Sequence, residues 1–173
     1  MALAKAALSS EVKDSAGLCV SCGLCCNGVL FTNAKIESHE VEHLTAKGVA
    51  AEKVGDRFQF CLPCQHHQLD GRCSIYAHRY ESCQTFQCKL LKKLEAGELC
   101  QSEALAKVHA AKAMVDRLAA VDANLATLAG RMALRSAAAR DDTAPSAPIA
   151  LLQGVALDRF LDRTFRNTPA MDA

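Results

Sequence analysis

Apolar and polar positions are arranged differently on the two sides of Cys88. Upstream the apolar runs are short. Val29-Leu30-Phe31 predicts a strand, and Ile36, Val41 and Leu44 make a narrow stripe on a helix expected over 34–46, capped by Thr32 or Asn33 and stopped at Lys47-Gly48. Phe58-Gln59-Phe60 alternates as a strand does, Pro63 punctuates it, and Asp70-Gly71 marks a tight turn before Cys73-Ser74-Ile75-Tyr76. That segment reads as a hairpin with cysteines on both arms. Downstream, Lys89 to Leu94 predicts a turn or two of helix closed by Gly97. Ser102 then opens a long helix to about Arg140, in which Ala111, Met114, Leu118, Val121, Leu125, Leu128 and Met132 recur at alternating steps of three and four. This seam suits another helix of the same domain or a second copy of the chain, a homodimer through the 108–132 helix. Asp141 to Pro148 is a polar linker, and Pro148 suits the first turn of a final helix over 149–166. Its Ile149, Leu152, Leu157, Phe160, Leu161 and Phe165 would cover part of the seam.

The fold class expected is mainly α: a small irregular Cys-rich domain with a short hairpin, followed by a bundle or hairpin of long helices. The divisions are an N-terminal tail over 1–18, a Cys-rich metal-binding domain over 19–94, a long helix over 98–140, a linker over 141–148 and a C-terminal helix over 149–173. At 173 residues the chain has room for one domain with a helical extension.

Charge narrows the partners. With 20 basic and 19 acidic residues the net charge is +1, which leaves no electrostatic footprint for nucleic acid or anionic lipid. Lys5, Glu11, Lys13 and Asp14 interrupt the Ala-rich start, so no signal-peptide core is expected. No run reaches the roughly 18 apolar residues of a membrane span. A cytoplasmic location is expected, where ten cysteines stay reduced unless metallated.

Four of those thiols lie within Cys19-Val20-Ser21-Cys22-Gly23-Leu24-Cys25-Cys26. The spacing is too tight for a disulfide framework and suits a short segment wrapped on a metal, whose charge compensates the repulsion between thiolates. Cys19, Cys22 and Cys25 have the spacing bacterial ferredoxins use for a [4Fe-4S] cluster with a fourth, remote cysteine, whereas structural zinc takes Cys-x-x-Cys pairs from two places. Both cofactors remain open, with the first segment favouring iron-sulfur over zinc. Neighbouring side chains diverge on any regular backbone, so one tetrahedral ion rarely takes both Cys25 and Cys26. Cys26 argues for a second centre, a bridging role or a structural thiol.

Further along come Cys64 with Cys73 eight residues after the gap begins, in Leu69-Asp70-Gly71-Arg72-Cys73-Ser74-Ile75-Tyr76, then Arg79, Cys83, Phe86 and Cys88. With the first segment, these blocks resemble the bacterial YkgJ-like CxxCxxCC cysteine-cluster family of zinc- or iron-chelating domains, over roughly residues 19–94. The resemblance implies a metal set of Cys19, Cys22, Cys25, Cys26, Cys64, Cys73, Cys83 and Cys88, enough for two four-coordinate centres or for one cluster with spare thiols. One departure is visible. Where the family usually has Arg-Pro, this chain has Arg79-Tyr80, and loss of that proline is expected to relax the backbone before Cys83.

Other cysteines and histidines carry less. Cys61 forms a Cys-x-x-Cys with Cys64 and is a reserve ligand, and Cys100 reads as a plain buried thiol. His66 and His67 could replace a thiolate or hydrogen-bond a ligand sulfur, but read more simply as surface loop residues. Arg79, with Tyr76, could offset the charge of a thiolate cage or make a surface pair. His39-Glu40-Val41-Glu42-His43 matches the zinc-peptidase pattern H-E-x-x-H, yet Glu42 is charged where a buried site helix wants an uncharged residue and no third ligand is indicated. The leading functional class is a metal-binding protein in metal handling or redox chemistry. An enzyme is the second, implied by resemblance to flagellin lysine methylases, and a structural zinc interaction protein is the third.

Overall fold

The computed structural model describes residues 14–140 and 147–168. Among them are seven α-helices and one three-stranded sheet, so the mainly α expectation is met. Helix α1 (Ser15–Cys22) starts where the Asp14 carboxylate accepts the Gly17 N–H at 2.7 Å. It ends at Gly23, whose φ of 65° lets its amide return to the Cys19 carbonyl. Cys19 and Cys22 therefore ride one face of a helix, where the pattern predicts a loop following a tail.

The sheet orders β1 (Asn33–Ile36), β3 (Arg57–Cys61) and β2 (Glu52–Val54), all antiparallel, with Asn33 opposite Cys61 and Ile36 opposite Phe58. Two expectations are corrected here. Val29 and Leu30 are buried in an irregular turn, and the strand starts only at Asn33. Residues 33–36, expected to begin a helix, pair with β3 instead, because the ladder satisfies their backbone and buries Ile36 beside Phe60. A 3₁₀ turn over Ser38–Glu40 leads into α2 (Val41–Ala46), which stops at Lys47 as expected. The hairpin at Asp70-Gly71 is present: His67 bridges Cys73, and Gln68 N–H bonds the Arg72 carbonyl at 2.8 Å.

Two further 3₁₀ turns and five helices complete the described chain: Tyr76–His78, α3 (Glu81–Thr85), α4 (Lys89–Ala96), α5 (Gln101–Ala119), Ala123–Ala126, α6 (Leu128–Ala139) and α7 (Ala147–Thr164). Gly97 caps α4 at φ 76°, as its position implies. The long helix over 98–140 is corrected to two. The Asp122 carboxylate accepts the Asn124 N–H at 2.9 Å, and Thr127 Oγ1 accepts the Gly130 N–H at 3.1 Å and starts α6. Helix α5 buries Ala104, Val108, Ala111, Val115 and Leu118, whereas Val121 is 49% and Met132 45% exposed. The straight seam from Ala111 to Met132, and with it a continuous 108–132 dimer helix, is absent. In α7, Ala150, Gly154, Leu157 and Leu161 face inward while Ile149 and Leu152 are exposed. Residues 141–146 of the expected linker, 1–13 of the tail and 169–173 lie outside the described residues.

The buried apolar residues form two clusters. Leu18, Leu24, Val29 and Leu30 pack with Leu90 and Leu94 of α4, Val108 and Leu118 of α5, Leu157 and Leu161 of α7, and Phe165. A second, smaller cluster holds Ile36, Leu44, Val49, Phe60 and Tyr80. The first cysteine segment thus belongs to the helical core. Buried cations tie it there: Arg131 Nη2 donates to the Val29 carbonyl at 2.8 Å and Arg166 Nε to the Leu30 carbonyl at 3.0 Å. Both guanidiniums also pair with Asp158, at 2.9 and 3.1 Å, and Arg135 reaches its other oxygen. Burial alone would raise the Asp158 carboxyl, but the charges and hydrogen bonds of Arg131, Arg166 and Arg135 hold it below its ordinary value.

Candidate metal centre

All ten cysteines are free thiols, and the thiols that raise one another sort eight of them into two groups. The first is built on the C-terminal end of α1. Cys19 and Cys22 lie three residues apart on that helix. After Gly23 the chain turns tightly, with the Cys26 and Asn27 amides both bonding the Gly23 carbonyl at 3.0 Å, and this turn presents Cys25 beside them. Cys88 joins from the N-terminus of α4, where its sulfur accepts the Leu91 N–H at 3.4 Å. The grouping is electrostatic as well as spatial. Cys25 is half-buried, and desolvation of its sulfur pushes it well above the ordinary thiol range, aided by Cys22, Cys88, Cys26 and Cys19 in that order. Burial pushes Cys22 up to about 12, with Cys88 and Cys19 adding to it against the Leu24 N–H and Lys112.

The second neighbourhood collects on the hairpin and α3. The Cys64 N–H bonds the Cys26 carbonyl at 2.7 Å, which brings the hairpin onto the first turn. Burial raises Cys26 to about 12, followed by the influence of Cys64, Cys83 and Cys73. Partial desolvation of the sulfur raises Cys83 even though the residue surface is exposed, and Cys64 and Cys73 add to it. In Cys64 the same desolvation is opposed by the His66 and His67 amides and reinforced by Cys73.

The thiols that most raise each member of the adjacent pair therefore differ, Cys22 and Cys88 for Cys25 and Cys64, Cys83 and Cys73 for Cys26, while Cys19 adds to both. Each set is made of thiols alone, a soft donor set that fits zinc or iron. Among the described residues no three Cys, His, Asp or Glu side chains yet converge closely enough to hold one ion, so closing either set takes movement of its thiols. The raised thiols hold on to their protons, which opposes metal binding. Neutral and crowded, they become ligands only when a cation repays the loss of their protons.

The remaining candidates are sorted by what they touch. Cys61 is exposed on β3 with its sulfur 3.7 Å from the Glu52 carboxylate, and lies in neither set. Cys100 caps α5, its sulfur 3.0 Å from Ser102 Oγ and its amide bonded to Glu103 at 2.9 Å, so a capping role replaces the plain buried thiol. His66 is buried, with Nε2 3.2 Å from the Tyr80 hydroxyl. His67 places Nε2 in the interior without a hydrogen-bond partner. Arg79 stacks its guanidinium 3.9 Å above the Tyr76 ring, and its charge lowers both Cys19 of the first set and Cys83 of the second. In both thiols desolvation is the larger effect and raises them. His39 to His43 straddle a 3₁₀ turn and the start of α2, with Glu40 accepting the Glu37 and Glu81 amides at 2.9 and 2.8 Å. Glu40 is a capping residue there, and no peptidase helix forms. The missing proline also has an answer: Tyr80 has φ −58° and ψ 149°, the backbone a proline would impose, and its ring fills the second core. Sequence reasoning passed over the Arg131, Arg166 and Asp158 network, because charged residues on an Ala-rich helix read as a solvated face.

Two shallow pockets, one of about 420 Å³ lined by Lys35, Val54 and Arg57 and one of about 400 Å³ lined by Leu99, Lys107 and Phe160, contain no cysteine. None of the helices among the described residues is long and apolar enough to cross a membrane.

No curated protein and no solved structure matches the chain. A family model does, over residues 18–107, just over half of the 173. It takes in every cysteine described above. The chain belongs to the CxxCxxCC family, whose description reads "Putative zinc- or iron-chelating domain".

Proposed function

We propose that the protein is a metal carrier or redox protein that holds zinc or iron in two four-thiolate centres. Cys19, Cys22, Cys25 and Cys88 make the first and Cys26, Cys64, Cys73 and Cys83 the second. The observation that carries this reading is the division of Cys25 from Cys26, which gives eight thiols two complete sets of four. The first has ferredoxin spacing with a remote fourth cysteine, and a [4Fe-4S] cluster is the occupant proposed for it. Lys112 and Arg79 supply positive charge to Cys22 and to Cys19, as a thiolate centre of negative charge requires. The cytoplasmic location expected from the sequence accords with ten free thiols.

Serine substitution tests the assignment one thiol at a time. Cys22→Ser and Cys83→Ser should each remove the metal of one centre, while Cys61→Ser and Cys100→Ser keep the full complement. Full metal retention by Cys22→Ser overturns the first centre.

A further inference from the structure

His67 stands between the two thiol sets in an unusual position. It belongs to the hairpin that carries Cys64 and Cys73, and its backbone pairs with Cys73. Its ring, however, reaches across to the first segment. A Cβ placed on Gly23 would lie 2.8 Å from His67 Nε2 and 3.4 Å from Cε1. Gly23 is the turn between Cys22 and Cys25, so the imidazole lies directly against the backbone that presents those thiols. The glycine is thus required twice, for its φ of 65° and for the room it leaves the ring.

Nε2 is also an orphan. It is buried and has no hydrogen-bond partner among the described residues, whereas the neighbouring His66 spends its Nε2 on Tyr80. A buried imidazole nitrogen without a partner costs free energy, and such groups call for a partner that the apo arrangement does not supply. The thiols nearest to Gly23 in sequence are Cys22 and Cys25. Thiolates and sulfides accept hydrogen bonds well once metal is bound, and such contacts orient ligands and tune a centre.

We infer that His67 is a positioning residue of the first centre: its Nε2–H donates to a ligand sulfur presented by the Gly23 turn, so that the hairpin of the second centre steadies the first. The inference rests on the two-centre reading above. It adds a directional link between the centres, since the hairpin cannot shift without moving the donor.

The test uses cobalt(II), titrated anaerobically into the full-length apoprotein, because thiolate-to-cobalt absorption reports sulfur ligation directly. A Cys83→Ser background isolates the first centre. In it, His67→Phe, which keeps a ring and removes the donor, should weaken cobalt binding by about tenfold and shift the thiolate-to-cobalt band. His67→Gln, which keeps an N–H at similar reach, should recover most of the affinity and the band position. A merely structural histidine would not give that rescue in the spectrum. Equal affinity and an unchanged band in His67→Phe, with normal binding in the parent, overturns the role of His67 alone. Absence of thiolate-to-cobalt absorption in the parent overturns the metal reading and the role of His67 with it.

Discussion

Cys25 and Cys26 share a peptide bond yet are raised most by different thiols. Cys25 lies under the influence of Cys22 and Cys88, Cys26 under that of Cys64, Cys83 and Cys73. Both residues sit in the tight turn after Gly23, where the Cys26 and Asn27 amides fold back on the Gly23 carbonyl. The two proposed sets of four draw on loops and helix ends far apart in sequence.

The two cores should respond differently to loss of metal. The first joins the cysteine turn to α4, α5 and α7, whereas the second rests on five buried residues. Few buried apolar residues mean low local stability, so the second core depends more on its thiols being tied together. After complete chelation, hydrogen exchange is expected to become fast in β1 to β3 and the 64–83 segment while α5 and α7 stay protected. Uniform protection before and after chelation would contradict this.

Asp158 should set the acid limit of the helical part. Its folded pKa is depressed, so its contribution is present above the ordinary carboxylate value and is lost as pH falls through the lower folded value. Asp158→Asn leaves Arg131 and Arg166 buried without their counter-charge and is expected to cost about 3 kcal/mol. Its stability should also depend less on pH below 4 or so than that of the parent. Denaturant unfolding at neutral and acid pH checks both, and equal acid sensitivity in parent and variant would contradict the assignment.

Tyr80 separates backbone from packing at the position where the family pattern has proline. Its φ of −58° means that Tyr80→Pro meets no backbone strain on that account, while the buried ring and its hydroxyl bond to His66 are lost. Tyr80→Pro is expected to keep its metal and lose about 3 kcal/mol of apoprotein stability, and Tyr80→Phe about 1 kcal/mol. Loss of metal in Tyr80→Phe would show that the hydroxyl serves the second centre directly.

How much of this was legible in the sequence follows from what each residue reports. The thiol blocks, the Gly97 cap and the Asp70-Gly71 turn were readable because each depends on residues close in sequence. Residues 33–36 were not, since helix propensity there is overridden by pairing with β3, more than twenty residues away. The break between α5 and α6 rests on a few local hydrogen bonds accepted by the Asp122 carboxylate and Thr127 Oγ1, in a stretch whose apolar spacing continues across it. The approach of the second group to the first was beyond the sequence, because it depends on the Cys64 amide meeting the Cys26 carbonyl. The Arg131 and Arg166 anchors were hidden for the same reason, as their acceptors are backbone carbonyls more than a hundred residues away.

The most direct test is iron, zinc and acid-labile sulfide per chain, with the visible spectrum, on anaerobically purified parent, Cys25→Ser and Cys26→Ser proteins. Two centres divided between the adjacent cysteines require that each variant lose one centre and keep the other, so that their metal contents and spectra differ and together account for the parent. Identical losses in the two variants, or a parent with a single centre, would contradict the account.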